Sequence, residues 1–184
     1  MLVAAYHASY GLPTLITRGS NTYGPYQFPE KIIPLFITNA LQDLPLPIYG
    51  NGSAVRDYLY VEDHVSGIAR ILWKGEPGGV YNIATGTEVS GVVIADTVLK
   101  LCGKPSALKH FVKDRPGHDY RYAVDTRKLR PLGWEPAVPV SDGLRLTVDW
   151  YRRNDAWWRS RKSADFWRFY EENYRGLPAN AVPR

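Results

Sequence analysis

The run FVKDRPGHDYRYAVD, Phe111 to Asp125, gathers Lys113, Arg115 and His118 with three aspartates around a Pro116-Gly117 pair. A second arginine, Arg56, stands in SAVRDYLY. A planar guanidinium grips phosphate oxygens with two prongs, which lysine cannot do. Each feature also has an ordinary reading. Asp114 and Asp119 suit a turn in which they cap their neighbours, and Asp57 offers Arg56 a local ion pair. Glu62, Asp63 and His64 fall where a helix begins and read as helix-start caps, with His64 as a general base the alternative.

Other chemistries lack their residues. No Gly-x-Gly-x-x-Gly turn occurs, and no Tyr has a Lys four positions later, so the fingerprints of a dinucleotide enzyme are missing. No Cys-x-x-Cys, His-Glu-x-x-His or Gly-x-Ser-x-Gly appears, and His7, His64, His110 and His118 make no metal spacing. The lone Cys102 excludes an internal disulfide and reads as a small core residue on a helix. The net charge of +5 is uneven: residues 1–144 carry 14 Lys/Arg against 13 Asp/Glu, residues 145–184 carry 9 against 5. A basic tail interleaved with Trp and Tyr is one way to hold single-stranded nucleic acid, but tails of this kind more often pack on their own domain, and no nucleic-acid partner is expected. No apolar run approaches the ~20 residues that cross a bilayer, and no secretion signal follows Met1. The expectation is a cytoplasmic protein without a membrane partner.

The elements that must position these side chains alternate irregularly. A helix closes near Gly11 and a strand runs from Pro13 to Arg18. KIIPLFITNALQD lines Ile33, Phe36, Ile37, Ala40 and Leu41 along one helical face, with Pro34 in the first turn. LPIYGNGSAVRDYLYV reads as a hairpin about Gly50-Asn51-Gly52. VEDHVSGIARILWKG is a helix with acids first and Lys74 last, the order its dipole favours. A strand in GGVYNIATG, a helix in SGVVIADTVLKLCG, a strand in LKHFV, a short helix near TRKLRPLGW, a helix from Ser141 to about Asn154 and an aromatic tail complete the chain. The fold class is α/β, a mixed α+β lobe rather than a complete doubly wound sheet.

SNTYGPYQFPEKIIPL, PIYGNGSAVRDYLYVEDH and DRPGHDYRYAVD, with YNIATG and LGWEP, come in the order and at roughly the distances found in dTDP-glucose 4,6-dehydratases. The chain resembles the C-terminal half of such an enzyme, a member of the extended short-chain dehydrogenase/reductase group. The resemblance implies that residues 1–20 end an NAD-binding Rossmann domain, 21–154 form a nucleotide-sugar-binding domain and 155–184 a helical tail. It implies NAD as cofactor, a dTDP-hexose as substrate and a homodimer of the full-length enzyme. In that family the catalytic Tyr-x-x-x-Lys pair lies on the helix whose last turns match Leu2 to Tyr10. Both residues and the dinucleotide fingerprint are therefore expected before Met1, and the chain alone is expected to be inactive. An apolar surface left by the missing half is expected to cause self-association.

Residue by residue, the resemblance implies that Asn21 contacts the cofactor. Thr22 falls where the family usually has a substrate-touching asparagine, a departure, because a hydroxyl does not offer a separate donor and acceptor at an amide's reach. Lys31 and Ile32 match substrate contacts at a helix start, where a cation and free N–H groups favour phosphate; a solvated lysine is the plain alternative. Pro47, Ile48 and Tyr49 match the wall that lines the nucleoside, against a plain edge strand. Arg56 matches a diphosphate arginine. Gly91 stands where the family tends to carry an asparagine, so any contact there comes from backbone or water. Asp114, Arg115, Pro116, Gly117 and His118 match a segment that closes over the nucleotide, with Arg115 as a second cation and His118 a nearby donor. A nucleotide-sugar 4-epimerase or decarboxylase, made more credible by Thr22 and Gly91, and a non-catalytic binding fragment are the competing readings.

Overall fold

The computed structural model describes residues 1–174 and 177. Helix α1 (Leu2–Tyr10) stops at Gly11, whose φ of 63° is left-handed and whose N–H returns to His7 O. Strands β1 (Ile16–Gly19) and β2 (Asn21–Tyr23) follow, then α2 (Ile32–Leu41), β3 (Leu46–Tyr49), β4 (Val55–Tyr60) and α3 (Val61–Lys74). Strands β5 (Val80–Ile83) and β6 (Glu88–Ser90) lead to α4 (Gly91–Cys102), and β7 (Lys109–Val112) and β8 (Arg121–Tyr122) to α5 (Val140–Arg153), α6 (Asp155–Arg161) and α7 (Ala164–Asn173). The short helix expected near Arg130 is a single 3-10 turn, Arg130–Leu132. β1 pairs with β5 and β3 with β7, both in parallel, while a third sheet runs in the order β2, β4, β6 with β8 also on β4. This is the mixed α/β class expected from the pattern.

The chain divides into two compact units, each assembled from three stretches of sequence. In the first (1–22, 56–88, 122–140), β1 and β5 are in register from Ile16 with Val80 to Gly19 with Ile83. Leu59, Ile71, Tyr81, Ile83, Leu129 and Trp134 form its core. Gly67 lets α3 approach closely: a Cβ there would stand 2.9 Å from Ile83 Cγ2 and 3.2 Å from Trp134 Cε2. Trp134 Nε1 donates to Ser66 Oγ at 2.8 Å, which satisfies a polar atom that burial would otherwise penalise.

In the second unit (23–55, 89–121, 141–184), α2 packs against α4 and β3. Ile33 to Ala40 are all buried, Thr38 and Asn39 included, so α2 is enclosed on every side rather than on the one face expected, and Leu41 at its end is only half-buried. The expected hairpin does not form. The Gly50 N–H goes to Val112 O and continues the β3–β7 ladder, while β4 joins another sheet. Leu46, Pro47 and Ile48 are consecutively buried, the pattern of a parallel strand covered on both faces, and that burial overrides the local Gly-Asn-Gly signal.

Candidate functional site

In the second unit the register Pro47 with His110, Ile48 with Phe111 and Tyr49 with Val112 sets the end of β3 beside the end of β7. The cationic loop leaves β7 at that point. Arg115, Pro116, Gly117 and His118 form a turn closed by His118 N–H to Arg115 O at 3.3 Å. Proline second and a glycine third with φ of 69° are what a type II turn requires. The turn brings its two ends to one ring: Arg115 Cζ lies 5.8 Å from the centre of Tyr49, and the His118 ring lies edge-on at 5.9 Å. Asp114 holds the turn. Its Oδ1 accepts from Arg115 N–H at 2.9 Å and lies 2.7 Å from His118 Nδ1. It thus caps its neighbours while both Arg115 and His118 lie against the one Tyr49 ring. Gly50 leaves the room, since a Cβ there would come within 3.2 Å of Asp114 Oδ2 and its φ is 56°.

Tyr174, which follows α7, is the residue missed from the sequence. Its ring lies 5.3 Å from Tyr49, tilted by 34°, and the two side chains are hydrogen-bonded. Burial pushes both phenols up. For Tyr49 the hydrogen bond from Tyr174 and the Arg115 charge pull back, and Asp114 adds to the rise. The available signal was the spacing of Phe166, Tyr170 and Tyr174, one helical face of the tail, read only as packing.

Ile32, first residue of α2, and Gly91, first residue of α4, meet behind the turn that follows Tyr49. A Cβ on Gly91 would find only Gly52 O at 3.7 Å and Ile32 Cδ1 at 3.8 Å, ordinary contact distances. Gly52 N–H donates to Tyr49 O and Val92 N–H to Gly52 O. The structure does not add Lys31 to this cluster. Its ammonium is exposed and paired with Glu30 at 2.7 Å, the plain alternative for a helix-start lysine.

In the first unit, Asn21 and Thr22 lie half-buried on β2. Thr22 Oγ1 is 2.7 Å from His64 Nδ1 and 3.2 Å from Ser20 O. The imidazole rests against Gly19, where a Cβ would come within 2.5 Å of Cε1, and burial lowers its pKa. Arg56 is buried on β4, its Cζ 4.3 Å over the Tyr122 ring. Burial drives the Tyr58 phenol up to about 12, partly offset by the Arg56 charge. Asp57, one residue on and therefore on the opposite face of the strand, accepts from Ser20 Oγ at 3.0 Å, Thr85 N–H at 3.0 Å and Gly86 N–H at 2.6 Å. Its carboxylate anchors that loop. Helix-start capping fails for α3: the N-cap is Tyr60, without a side-chain cap, and buried Asp63 instead accepts from Ala137 N–H at 3.1 Å and Val138 N–H at 2.9 Å. Two backbone donors far along the chain offer a carboxylate more than a helix start does. Among the described residues no three His, Cys, Asp or Glu are grouped to hold a metal, and no helix is long and apolar enough to cross a membrane.

A family model described as GDP-mannose 4,6 dehydratase matches residues 1–147. A dTDP-glucose 4,6-dehydratase of Streptomyces niveus is 47% identical over 90% of this chain and 49% of its own length. A trifunctional enzyme of Arabidopsis thaliana, whose first-named activity is UDP-glucose 4,6-dehydratase, is 50% identical over 86% of this chain and 24% of its own. Among solved structures, the dTDP-glucose 4,6-dehydratase DesIV of Streptomyces venezuelae with NAD and TYD bound superposes with a TM-score of 0.84 at 45% identity, covering 88% of this chain and 50% of that one. The chain therefore spans about half the length of the dTDP-glucose dehydratases it matches.

Proposed function

The chain belongs to the GDP-mannose 4,6-dehydratase family, and from that premise we propose that it is the nucleotide-sugar-binding half of a dTDP-glucose 4,6-dehydratase, a lyase. The whole enzyme converts dTDP-glucose to dTDP-4-keto-6-deoxyglucose and water. The observation that carries the reading is Tyr49, an aromatic ring at the end of a buried apolar strand with a guanidinium and an imidazole gathered on it. A flat wall beside a fixed cation suits a base and its diphosphate. Within the second unit we assign Ile32, Pro47, Ile48, Tyr49, Gly91 and the turn Asp114, Arg115, Pro116, Gly117, His118 to the substrate, and Lys31 if it leaves Glu30. Within the first we assign Thr22 and Arg56 to substrate and Asn21 to the cofactor.

In this family NAD takes up and returns the hydride. The residues here fit a small share of its binding: Asn21 offers one carboxamide, and no glycine-rich turn for a pyrophosphate is present in the sequence. The chain's own work is to bind the nucleotide end and hold the hexose in place, so that energy gained far from the reacting carbon orients it. Residues 1–20, 21–154 and 155–184 are, in the same reading, the Rossmann end, the substrate domain and the tail. The full-length enzyme is a cytoplasmic homodimer. In support of a covered surface, Leu2, Val3, Tyr6 and Tyr10 of α1 and Val65, Ile68, Leu72 and Trp73 of α3 are exposed.

Calorimetric titration tests the site. The chain binds dTDP-glucose without turning it over, and Arg115→Ala weakens binding about tenfold or more while Arg115→Lys recovers only part of it. Undiminished binding by Arg115→Ala overturns the assignment, and a 4-keto-6-deoxy product from the chain alone overturns its inactivity. Thr22, occupied by Ser20 and His64 rather than poised as an amide, is what favours the rival 4-epimerase or decarboxylase. Joining the chain to the N-terminal half of the Streptomyces niveus relative separates them, since a C4 epimer as product refutes the dehydratase.

A further inference from the structure

Lys162 lies between α6 and α7, and it is 8% exposed. Its ammonium donates to Asn39 Oδ1 at 2.9 Å and to Gln42 Oε1 at 3.0 Å. Three rings surround it, with centres 5.1 Å away for Trp167, 5.5 Å for Phe166 and 5.6 Å for Trp158. A cation enclosed this way is held by charge-assisted hydrogen bonds and by the aromatic faces. Desolvation costs it dearly in return.

The bond to Asn39 has directional consequences. Asn39 is fully buried, and a carboxamide whose oxygen faces a cation must turn its NH2 the other way. That NH2 donates to Pro45 O at 2.7 Å and to the Tyr170 hydroxyl at 3.0 Å. Pro45 is the residue from which the chain enters β3 and runs to Tyr49. Tyr170 packs its ring on Tyr174 at 5.0 Å, and Tyr174 in turn lies against Tyr49 at 5.3 Å and is bonded to it. Both supports of Tyr49, the strand beneath it and the ring beside it, are thus tied to one buried amide whose orientation Lys162 sets.

We propose that Lys162 is a positioning residue for the ligand wall: its buried charge, acting through Asn39, holds Tyr170, Tyr174 and β3 so that Tyr49 presents its face, and loss of that charge loosens the wall. The proposal rests on Tyr49 being the nucleotide wall, as set out under Proposed function. Burial brings the Lys162 amine down to about 7, and the Arg159 charge adds to the fall. Arg159 of α6, itself bonded to Asp155, is the charged group acting on it; α2 and its C-cap contribute the neutral Asn39 and Gln42, and α7 contributes Phe166 and Trp167. The charge therefore titrates where a cell's pH lies, and ligand affinity follows it.

Two measurements test this on the whole chain. The first is calorimetric titration of dTDP-glucose, whose diphosphate bridge does not ionise in this range, from about pH 6 to about pH 9. Wild-type affinity falls about three- to tenfold as the charge is lost, whereas Lys162→Met is already weaker at the acid end and shows no such fall. His118 and Arg115 are the same in both, so their contribution cancels in the comparison. Parallel pH profiles in the two proteins overturn the proposal. The second needs neither ligand nor variant: the ring resonances of isotopically labelled Tyr49 shift with a midpoint matching that of the Lys162 side-chain signal. Tyr49 resonances that ignore the Lys162 titration overturn the proposal even if Lys162→Met does not fold. A wild type that fails to bind dTDP-glucose while Tyr49 follows Lys162 refutes the ligand reading and leaves the positioning role standing.

Discussion

Thr22 Oγ1 lies 2.7 Å from His64 Nδ1, and this contact exists because Gly19 has no side chain. A Cβ at position 19 would come within 2.5 Å of the imidazole. Gly19→Ala therefore drives the ring off Thr22, at a cost of about 1–3 kcal/mol. Half-buried His64 has its pKa lowered by desolvation, so the unfolded chain takes up the proton first. Its contribution to stability is complete above the unfolded value of about 6.5 and is lost as pH falls towards the folded one. In Gly19→Ala the imidazole moves into water, its NMR titration midpoint rises, and this acid sensitivity shrinks. A midpoint that stays put shows that the ring was never held there by Gly19.

Asp57→Asn tests the anchor on β4. One carboxylate serves three donors, Ser20 Oγ, Thr85 N–H and Gly86 N–H, with Asp57 4% exposed. An amide replaces one acceptor with a donor, so at least one buried N–H or O–H faces hydrogen instead of oxygen. The expected loss is about 2–3 kcal/mol, read as a lower urea midpoint. A change under about 0.5 kcal/mol means that water satisfies those donors as well as the carboxylate does.

Gly91→Asn asks whether the departure at this position is reversible. The φ of Gly91 is not left-handed and its Cβ would make only ordinary contacts, so a side chain fits. Replacing a glycine in the first turn of α4 leaves stability unchanged or raises it by up to about 1 kcal/mol. Dissociation constants for dTDP-glucose tighten several-fold, about one hydrogen bond's worth. Equal or weaker binding means that the ligand does not reach the start of α4.

How much of this was legible depends on how far apart the deciding partners lie. Helix α3 was readable because the order of its charges is local, and the stop at Gly11 because a left-handed φ of 63° favours one residue type. The turn from Arg115 to His118 announced itself through Pro116-Gly117. By contrast, the partner of β3 is β7, about sixty residues later, and no local signal competes with the Gly-Asn-Gly turn except the unbroken apolar run Leu46, Pro47, Ile48. Asp57 and Asp63 were read against their sequence neighbours, whereas their donors are the Ser20 hydroxyl and backbone groups at 85, 86, 137 and 138. The spacing of Phe166, Tyr170 and Tyr174 marks one face of the tail, but it does not say which of these rings, here Tyr174, reaches the wall.

Lys162 gives stability an alkaline slope that a methionine removes. Its folded pKa is about 7 against 10.5 for the free side chain. Below 7 both states are protonated and the full cost of burying the charge is present. Between the two values the unfolded chain binds the proton and the folded one does not, so stability rises with pH, by up to about 2 kcal/mol over the two units above 7. His64 acts below this window. Buried Cys102, whose thiol is pushed up, acts in the opposite sense towards its upper end, and the buried tyrosines do so beyond it, all equally in both proteins. Lys162→Met leaves Asn39 Oδ1 and Gln42 Oε1 without their donor, so its stability at pH 6 can lie on either side of the wild type, and the slope is the quantity to read. Urea midpoints at about pH 7, 8 and 9 should climb for the wild type and stay level for Lys162→Met; parallel lines would mean that the amine keeps its proton throughout, with the aromatic faces and amide oxygens outweighing desolvation.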